Sequence, residues 1–325
     1  MEKDLVSYLF LPKGIKSILF KSYVYFVPFL YSFTFSSYSL KSFLLFFFIF
    51  FLFEFLINPA RYQLNDVVDC KNDQKRKHHW QRPVSKNNKT LVITVALLRF
   101  TLGTSIAFFL DSRLGYLGIA FLLLQLFYDH FAKRFFPFLS IFVISVAYPL
   151  RSLTIFYGLE IPLNYTSFLL LLSIFLYSTY TVIQWRKHES LFIKKNKLTP
   201  KPHSDFFINP KIDFFAFIFL SMFLFVFILL VNLLMKMDAN SALTIYITSV
   251  FVIITLSLNK NTIDKITGYF HNIIIAFLFI VLTLNRFLIA LSIAIISIFA
   301  MFWYHMIYVK KFANNYFSKT YEEKK

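Results

Sequence analysis

The chain has 325 residues, of which 58% are hydrophobic and 46 are Phe, and it carries a formal net charge of +18. Its mean hydropathy is +0.63. No globular core of this size buries so much apolar surface, so the composition excludes a soluble domain and indicates several membrane-spanning helices. The basic residues fall in short segments between apolar runs, as topology signals do, and this distribution argues against nucleic-acid binding.

Apolar segments long enough to cross a bilayer, at about 20 residues each, follow one another along the chain. We predict spans over 17–35, 40–60, 90–110, 114–130, 136–156, 164–185, 213–235 and 241–258. A last apolar stretch, 271–308, is too long for one simple span and is interrupted at Asn285 and Arg286. The predicted fold is an all-α bundle of about nine transmembrane helices around a central cavity, with a tenth helix left open.

Lys and Arg are concentrated in the connections that follow even-numbered spans, whereas connections after odd-numbered spans are short and poor in both. This asymmetry places the N-terminus and the loops 61–89 and 186–212 in the cytoplasm. We expect one integral domain over 1–325 in the cell membrane, with its cavity open to the cytoplasm and these two loops at the active site. The basic tail, 309–325, also favours the cytoplasm, which requires ten crossings and conflicts with nine.

The end of the second span carries an acidic face. Asn65, Asp69 and Asp73 are spaced four apart, so a helix turns them to nearly one side, with Asp66 beside them. Oxygen ligands at a membrane surface suit Mg²⁺, which is usually shared between carboxylates and the phosphates of a substrate. The face therefore predicts a Mg²⁺ site for a diphosphate substrate; the alternative is a solvated acidic patch neutralised by neighbouring Lys.

Polar residues continue from this face into the span itself. Glu54, Asn58 and Arg61 lie at helical spacing from Asn65, and a polar face in lipid must look inward. Both interhelical hydrogen bonding and a cavity-lining role fit Glu54 and Asn58. Arg99, well inside the third span, is expected to be the partner of an intramembrane acid such as Glu54.

These residues resemble the UbiA superfamily of intramembrane prenyltransferases over about residues 10–200. In that family an N-D-x-x-D-x-x-x-D motif is followed by a basic linker and an Arg-Pro, and this chain reads NDVVDCKNDQKRKHHWQRPVS. A Tyr…Lys-Arg segment of the family is similar to Tyr128 through Lys133 and Arg134. The resemblance implies a transferase whose catalytic residues are Asp66, Asp69 and Asp73, which hold Mg²⁺ together with Asn65.

The chain departs from most of the superfamily after the sixth span. A second aspartate-rich motif is expected there, but Glu189 is the only acid in 184–189. One branch of the superfamily, which resembles decaprenyl-phosphate phosphoribosyltransferase, has Lys or Arg and Glu at this second motif. The segment Tyr148-Pro149-Leu150-Arg151 fits that branch as well. The chain departs from the branch at Arg76-Lys77-His78-His79, where a His-Pro is usual. Because Arg and Lys can neutralise phosphates that a second metal would otherwise hold, phosphate contacts are predicted for Arg82, Lys133, Arg151, Arg186 and Lys187. The alternative for each is a topology determinant or a contact with a lipid headgroup.

The predicted activity is Mg²⁺-dependent transfer of a 5-phosphoribosyl group from phosphoribosyl diphosphate to a polyprenyl phosphate. The alternative enzyme reaction is prenyl transfer from a polyprenyl diphosphate to an aromatic or quinone-precursor acceptor. A non-enzyme alternative is a carrier or scaffold in which the acids form an ion pathway. The expected partners are a polyprenyl lipid, a diphosphate-bearing donor and the membrane; oligomeric state is not indicated by the sequence.

Overall fold

The computed structural model describes residues 5–12, 18, 23–32, 39–75, 83–195 and 201–235, and every regular element within them is helical. Five helices in this part of the chain are long and apolar enough to cross a membrane: Leu40–Lys71, Lys89–Leu110, Ser112–Phe135, Pro137–Gly158 and Tyr165–Lys195. The all-α, membrane-spanning prediction is confirmed for these residues. The predicted spans 241–258 and 271–308 and the basic tail lie outside the described residues.

We number the helices in chain order. α1 is Leu5–Phe10, α2 is Tyr23–Ser32, and α3 runs through Leu40–Phe51, a π-helical segment Leu52–Ile57, and Asn58–Lys75. α4 is Lys89–Leu110, and α5 runs through Ser112–Phe127, a second π-helical segment Tyr128–Ala132, and Lys133–Phe135. α6 is Pro137–Gly158, α7 is Tyr165–Lys195, α8 is Ser204–Ile208, and α9 is Lys211–Met235.

The apolar runs form helices because lipid offers the backbone no hydrogen-bond partners, whereas a helix pairs its backbone N–H and C=O groups within its own segment. Several helices begin at residues that stabilise a first turn. The Ser39 Oγ accepts a hydrogen bond from the Ser42 N–H at 3.0 Å, and the Asp111 Oδ1 accepts one from the Arg113 N–H at 2.7 Å. Pro137 is the first residue of α6, where its missing N–H costs nothing.

α6 occupies a central place in the bundle, since it packs against α2, α3, α5 and α7. On one side α3, α4 and α5 pack together, and on the other α9 lies along α7 with α8 between their ends. Gly103 and Gly118 allow the first group to approach closely. A Cβ at Gly103 would lie 2.9 Å from Ile57 Cγ1, and one at Gly118 would lie 2.8 Å from Thr104 Cγ2.

Two helices extend beyond the predicted ends of their spans. The segment 61–89, expected to be a loop apart from the helical face that carries its acids, is helical as far as Lys75, and part of the segment 186–212, also expected to be a loop, is helical as far as Lys195. Neither extension contains Gly or Pro, so nothing in these residues breaks the hydrogen-bonding pattern of the helix. The acidic face therefore lies on a rigid helix. We call the end of the bundle that carries it the motif end.

Candidate active site

The acidic face of α3 meets two different neighbours. Asn65 donates from Nδ2 to the Oδ1 of the adjacent Asp66 at 3.3 Å. The Oδ2 of Asp66 accepts the Tyr8 hydroxyl of α1 at 3.0 Å, and Asp66 is only 1% exposed. Asp69 instead accepts a hydrogen bond from the ammonium of Lys133 in α5. The side chain of Asp73, on the same helix, lies outside the described residues.

α5 supplies a matching polar row at its motif end. The Gln125 Nε2 donates to the Asn65 Oδ1 at 3.5 Å and to the Asp129 Oδ2 at 2.8 Å, so one amide links the acidic face to a further carboxylate. Asp129 is 2% exposed, and its Oδ1 has no hydrogen-bond partner among the described residues. We call Asn65, Asp66, Asp69, Gln125, Asp129 and Lys133 the motif cluster.

The π-helical segment in α5 places Tyr128 and Lys133 on one side of the helix. These residues are five apart, a spacing that an α-helix would turn well away from a common face. In the π-helical turn the i and i+5 positions are hydrogen-bonded neighbours, and the Lys133 Nζ lies 5.9 Å from the centre of the Tyr128 ring. The local backbone geometry thus places the Tyr and the Lys of the Tyr…Lys-Arg segment on one side of α5, from which Lys133 reaches Asp69 of α3.

The donor atoms of this cluster are compatible with Mg²⁺. Asn65, Asp66, Asp69 and Asp129 offer oxygen alone, and Mg²⁺ is commonly bound by one or two carboxylates together with water and substrate phosphates. Within the described part of the chain no three His, Cys, Asp or Glu side chains converge on one point. Protein side chains need not supply all the ligands of a bound Mg²⁺. The buried Asp129 Oδ1, which has no hydrogen-bond partner among the described residues, would be stabilised by a cation or a proton donor.

A second charged group lies at the end of α7. The Arg186 Nη1 lies 3.5 Å from the Glu189 Oε2, and the ammonium of Lys201 donates to the other carboxylate oxygen of Glu189. The Arg186 Nη2 also donates to the hydroxyl of Tyr128, which joins this group to α5. We call Arg186, Glu189 and Lys201 the α7 triad. Arg186 interacts electrostatically with Asp69, so the triad and the motif cluster are neighbours.

A third polar group lies deeper between the helices. Glu54 Oε1 accepts the Tyr25 hydroxyl at 2.7 Å and the Asn58 Nδ2 at 2.6 Å, and it lies 3.5 Å from the Arg151 Nε. Arg151 donates from Nη2 to the Tyr62 hydroxyl at 3.0 Å. We call Tyr25, Glu54, Asn58, Tyr62 and Arg151 the inner cluster; it shows the interhelical bonding that the sequence left open.

The cation partner of Glu54 is therefore Arg151 of α6, and the expectation of Arg99 was wrong. The Arg99 Nη2 donates to the backbone carbonyl of Phe10 at 3.1 Å instead. Arg61 lies near both carboxylates, Glu54 and Asp129, with its Cζ 5.6 Å from the centre of the Phe121 ring. Spacing along one helix could not identify the partners of Glu54 and Arg99, since Arg151 and Phe10 lie on helices that are remote from them in sequence.

The residues predicted to bind phosphate are distributed over three places. Lys133 and Arg186 lie at the motif end beside Asp69. Arg151 is bonded within the inner cluster, and Lys187 donates to the carboxylate of Asp213 on α9. Arg82 lies outside the described residues. Sequence reasoning did not single out Gln125, Asp129 or Lys201 as site residues; for the first two, the successive four-residue spacing of Gln125, Asp129 and Lys133 was the available signal.

Comparison with known proteins identifies the family of this chain. A model of the UbiA prenyltransferase family matches residues 25–272, more than half of the chain. The match extends past the region of about residues 10–200 on which the sequence resemblance depended. No curated protein matches the chain. With five apolar spans among the described residues alone, this integral membrane enzyme is a transferase of the UbiA type, and the chain belongs to the UbiA prenyltransferase family.

Proposed function

We propose that the enzyme transfers a 5-phosphoribosyl group from phosphoribosyl diphosphate to a polyprenyl phosphate in a Mg²⁺-dependent reaction. The observation that supports this choice is the contrast between neighbouring charged groups at the motif end. The motif cluster is rich in carboxylates, whereas the α7 triad has two cations and one carboxylate. A cation-binding site beside an anion-binding site suits a reaction with a diphosphate and a separate phosphate.

Asn65, Asp66, Asp69 and Asp73 are the residues that would hold Mg²⁺ in this proposal. When bound, Mg²⁺ neutralises negative charge on the departing diphosphate. The bonding of Asn65 to Gln125 and of Asp66 to Tyr8 fixes the rotamers of these ligands, so little reorganisation is needed on binding. The aspartates act as catalytic residues through this placement of charge, without a covalent nucleophile.

The basic side chains contact phosphate oxygens directly in the proposal. The ammonium of Lys133 is a compact charge on a flexible stem and can move from Asp69 to a phosphate oxygen. Arg186 presents a planar fork of donors that suits a phosphate. Arg82, Arg151 and Lys187 are proposed as further phosphate contacts, with Arg151 nearest the apolar part of the bundle. Glu189, as the second motif, orients Arg186.

The apolar helices provide the environment for the polyprenyl chain. The transfer of such a hydrocarbon chain from water to a surface lined with large apolar side chains is favourable in free energy. We further propose that the motif end faces the cytoplasm of the cell, since the Lys- and Arg-rich connections lie there. A water-soluble sugar phosphate would then reach the site from the cytoplasm while the lipid enters from the bilayer.

Prenyl transfer from a polyprenyl diphosphate to an aromatic or quinone-precursor acceptor is the second candidate. The name of the matching family favours it, because that family is described by prenyl transfer. A prenyl diphosphate carries no phosphate apart from its diphosphate, so the α7 triad would have no second anionic group to bind in the donor.

The donor decides between the two reactions. Purified protein in lipid nanodiscs with Mg²⁺ is incubated with phosphoribosyl diphosphate plus polyprenyl phosphate, and separately with prenyl diphosphate plus aromatic acids. We expect phosphoribosylated lipid from the first mixture, detected by mass spectrometry, and its loss with EDTA. Product from the second mixture alone would falsify the phosphoribosyl proposal in favour of prenyl transfer.

A further inference from the structure

Two buried side chains of opposite charge lie on neighbouring helices without forming an ion pair. Asp129 of α5 is 2% exposed, and Arg61 of α3 is 7% exposed. Arg61 interacts electrostatically with Asp129, but the ion pairs of the described residues do not include one between these two. Opposite charges buried in a protein are normally in direct contact, because each is costly there without a partner. Their separation is therefore unusual.

Each of the two side chains has one buried polar atom without a hydrogen-bond partner among the described residues. These atoms are the Oδ1 of Asp129, which accepts hydrogen bonds when the carboxylate is ionised, and the Nε of Arg61, which donates one. A buried polar atom that is left unpaired costs free energy. The two atoms thus have complementary requirements, a donor for Asp129 and an acceptor for Arg61.

The neighbours of this pair do not meet these requirements. Besides Arg61, Asp129 interacts electrostatically with Lys133 and Asp69, whose side chains are hydrogen-bonded to each other. The Arg61 guanidinium interacts with Tyr62 and, electrostatically, with the buried ion pair of the inner cluster. None of these groups is hydrogen-bonded to the Asp129 Oδ1 or to the Arg61 Nε.

The pair lies beside the residues proposed to hold Mg²⁺. One amide nitrogen, the Nε2 of Gln125, donates to the Asp129 Oδ2 at 2.8 Å and to the Asn65 Oδ1 at 3.5 Å. Arg61 precedes Asn65 by four residues, which is about one helical turn along the same face of α3. A diphosphate bound at the acidic face would therefore place the group that it carries close to Asp129 and Arg61.

Hydroxyl groups meet both requirements. A hydroxyl donates one hydrogen bond and accepts others, so it can pair with a carboxylate and a guanidinium at the same time. A phosphate would be repelled by Asp129, and a metal ion would leave the Arg61 Nε without an acceptor. A prenyl chain carries no polar atom and would leave both side chains unpaired. Adjacent hydroxyls on a sugar ring, by contrast, can reach two side chains that are not themselves in contact.

We propose that Asp129 and Arg61 form a subsite for the hydroxyl groups of a sugar, the ribose of the diphosphate donor. The inference rests on the proposed function, in which the donor is phosphoribosyl diphosphate. Asp129 accepts a hydrogen bond from one ribose hydroxyl, and Arg61 donates to the same hydroxyl or to the adjacent one. A donor without hydroxyls leaves both buried atoms unpaired, and a site of this kind discriminates strongly against such a ligand. The subsite thus selects a sugar diphosphate over a prenyl diphosphate.

Binding of two diphosphates measures the contribution of the sugar. Isothermal titration calorimetry on the full chain in nanodiscs compares phosphoribosyl diphosphate with inorganic pyrophosphate, both with Mg²⁺ and without a lipid acceptor. We expect Asp129→Asn to weaken the binding of phosphoribosyl diphosphate about 10-fold, because a carboxylate accepts a stronger hydrogen bond than an amide does. The affinity for pyrophosphate should not fall, since pyrophosphate has no sugar. Retained pyrophosphate binding also shows that the variant is folded.

Matched variants separate a sugar contact from a general loss of charge. Asp205→Asn removes an exposed acid of α8 and should change neither affinity. Arg61→Met should weaken the binding of phosphoribosyl diphosphate, and Arg61→Lys should recover part of the loss, because Lys keeps a cationic donor. Arg61→Lys also tests the subsite without removing a charge from the protein, so the test does not depend on one variant alone.

Three outcomes would overturn the inference. Wild-type affinity of Asp129→Asn and Arg61→Lys for phosphoribosyl diphosphate would show that the pair binds no sugar. An equal loss for both diphosphates, at wild-type Tm, would make Asp129 a metal ligand instead. A lowered Tm with both affinities unchanged would leave the pair a purely structural role. In each case phosphoribosylated lipid from the wild-type enzyme would still support the proposed function, whereas product from prenyl diphosphate alone would contradict both.

Discussion

The inner cluster and the motif end use charge in different ways. In the inner cluster one carboxylate, Glu54, meets one guanidinium, Arg151, with side chains 3% and 2% exposed. Tyr25, Asn58 and Tyr62 hydrogen-bond this pair from other turns and helices. At the motif end the pair of Lys133 and Asp69 is more accessible, with side chains 21% and 17% exposed. A fully buried ion pair joins helices, whereas a partly exposed pair remains accessible to ligands.

Breaking the inner pair should have the largest effect on stability. Arg151→Met leaves the Glu54 carboxylate buried without its cation, which costs about 3–5 kcal/mol. We expect a clear fall in Tm for the protein in detergent, and partial recovery in the double variant Glu54→Gln with Arg151→Met. The exposed Arg113→Gln serves as a control whose Tm should change little. An unchanged Tm with a raised KM for a phosphate substrate would instead support Arg151 as a phosphate contact.

Neutralising the motif end should affect turnover rather than stability. Asp69→Asn removes a carboxylate proposed to hold Mg²⁺, and we expect kcat to fall about 10²- to 10³-fold, the usual effect of losing one group that stabilises developing charge. Tm should change little, because the Asp69 and Lys133 pair is partly exposed. Asp205→Asn, an exposed acid on α8, is the control. Full turnover and unchanged Mg²⁺ dependence in Asp69→Asn would show that the Asp69 carboxylate does not hold the metal.

Removing the hydrogen bonds of Gln125 that connect α3 and α5 should have an intermediate effect on turnover, through its Mg²⁺ dependence. Gln125→Leu removes the amide that donates to the Asp129 Oδ2 and contacts Asn65. We expect about a 10-fold rise in the Mg²⁺ concentration for half-maximal turnover, because a hydrogen bond to a charged group contributes about 1.5–3 kcal/mol. The Mg²⁺ titration is run beside the Asp205→Asn control. Unchanged Mg²⁺ dependence would show that Gln125 does not position the acidic face.

The smallest effect is expected at the opposite end of the bundle, where Asp111 caps α5. Asp111→Ala should lower stability by about 1 kcal/mol at neutral pH through loss of the cap. Hydrogen bonding to the Arg113 side chain lowers the pKa of Asp111. The stabilisation of the folded state by the Asp111 carboxylate is therefore complete above the ordinary Asp pKa of about 3.9. It is lost as the pH falls through the lowered pKa of Asp111. Tm measured against pH should show the two proteins converging only in strong acid; convergence near neutral pH would contradict this account.

The helical, membrane-spanning character of the fold and the shared face of the acidic motif could be predicted locally. Apolar runs of sufficient length predict spans, and the spacing of Asn65, Asp69 and Asp73 predicts a shared helical face. The secondary structure of residues beyond the lipid was harder to predict, because a polar sequence is compatible with either a loop or a helical extension. The helical course of α3 up to Lys75 and of α7 up to Lys195 is a case in point. Helix propensity alone gives too weak a preference to decide between them.

By itself the sequence determined that this is a membrane helix bundle with an acidic motif, since hydropathy and helical periodicity depend only on neighbouring residues. Tertiary structure decided which charges meet. The pairing of Glu54 with Arg151, of Asp69 with Lys133 and of Glu189 with Lys201 depends on helix packing and on a turn. The physical reason is that ion pairing requires atoms within a few ångströms, and only the packed bundle places residues so far apart in sequence at that distance.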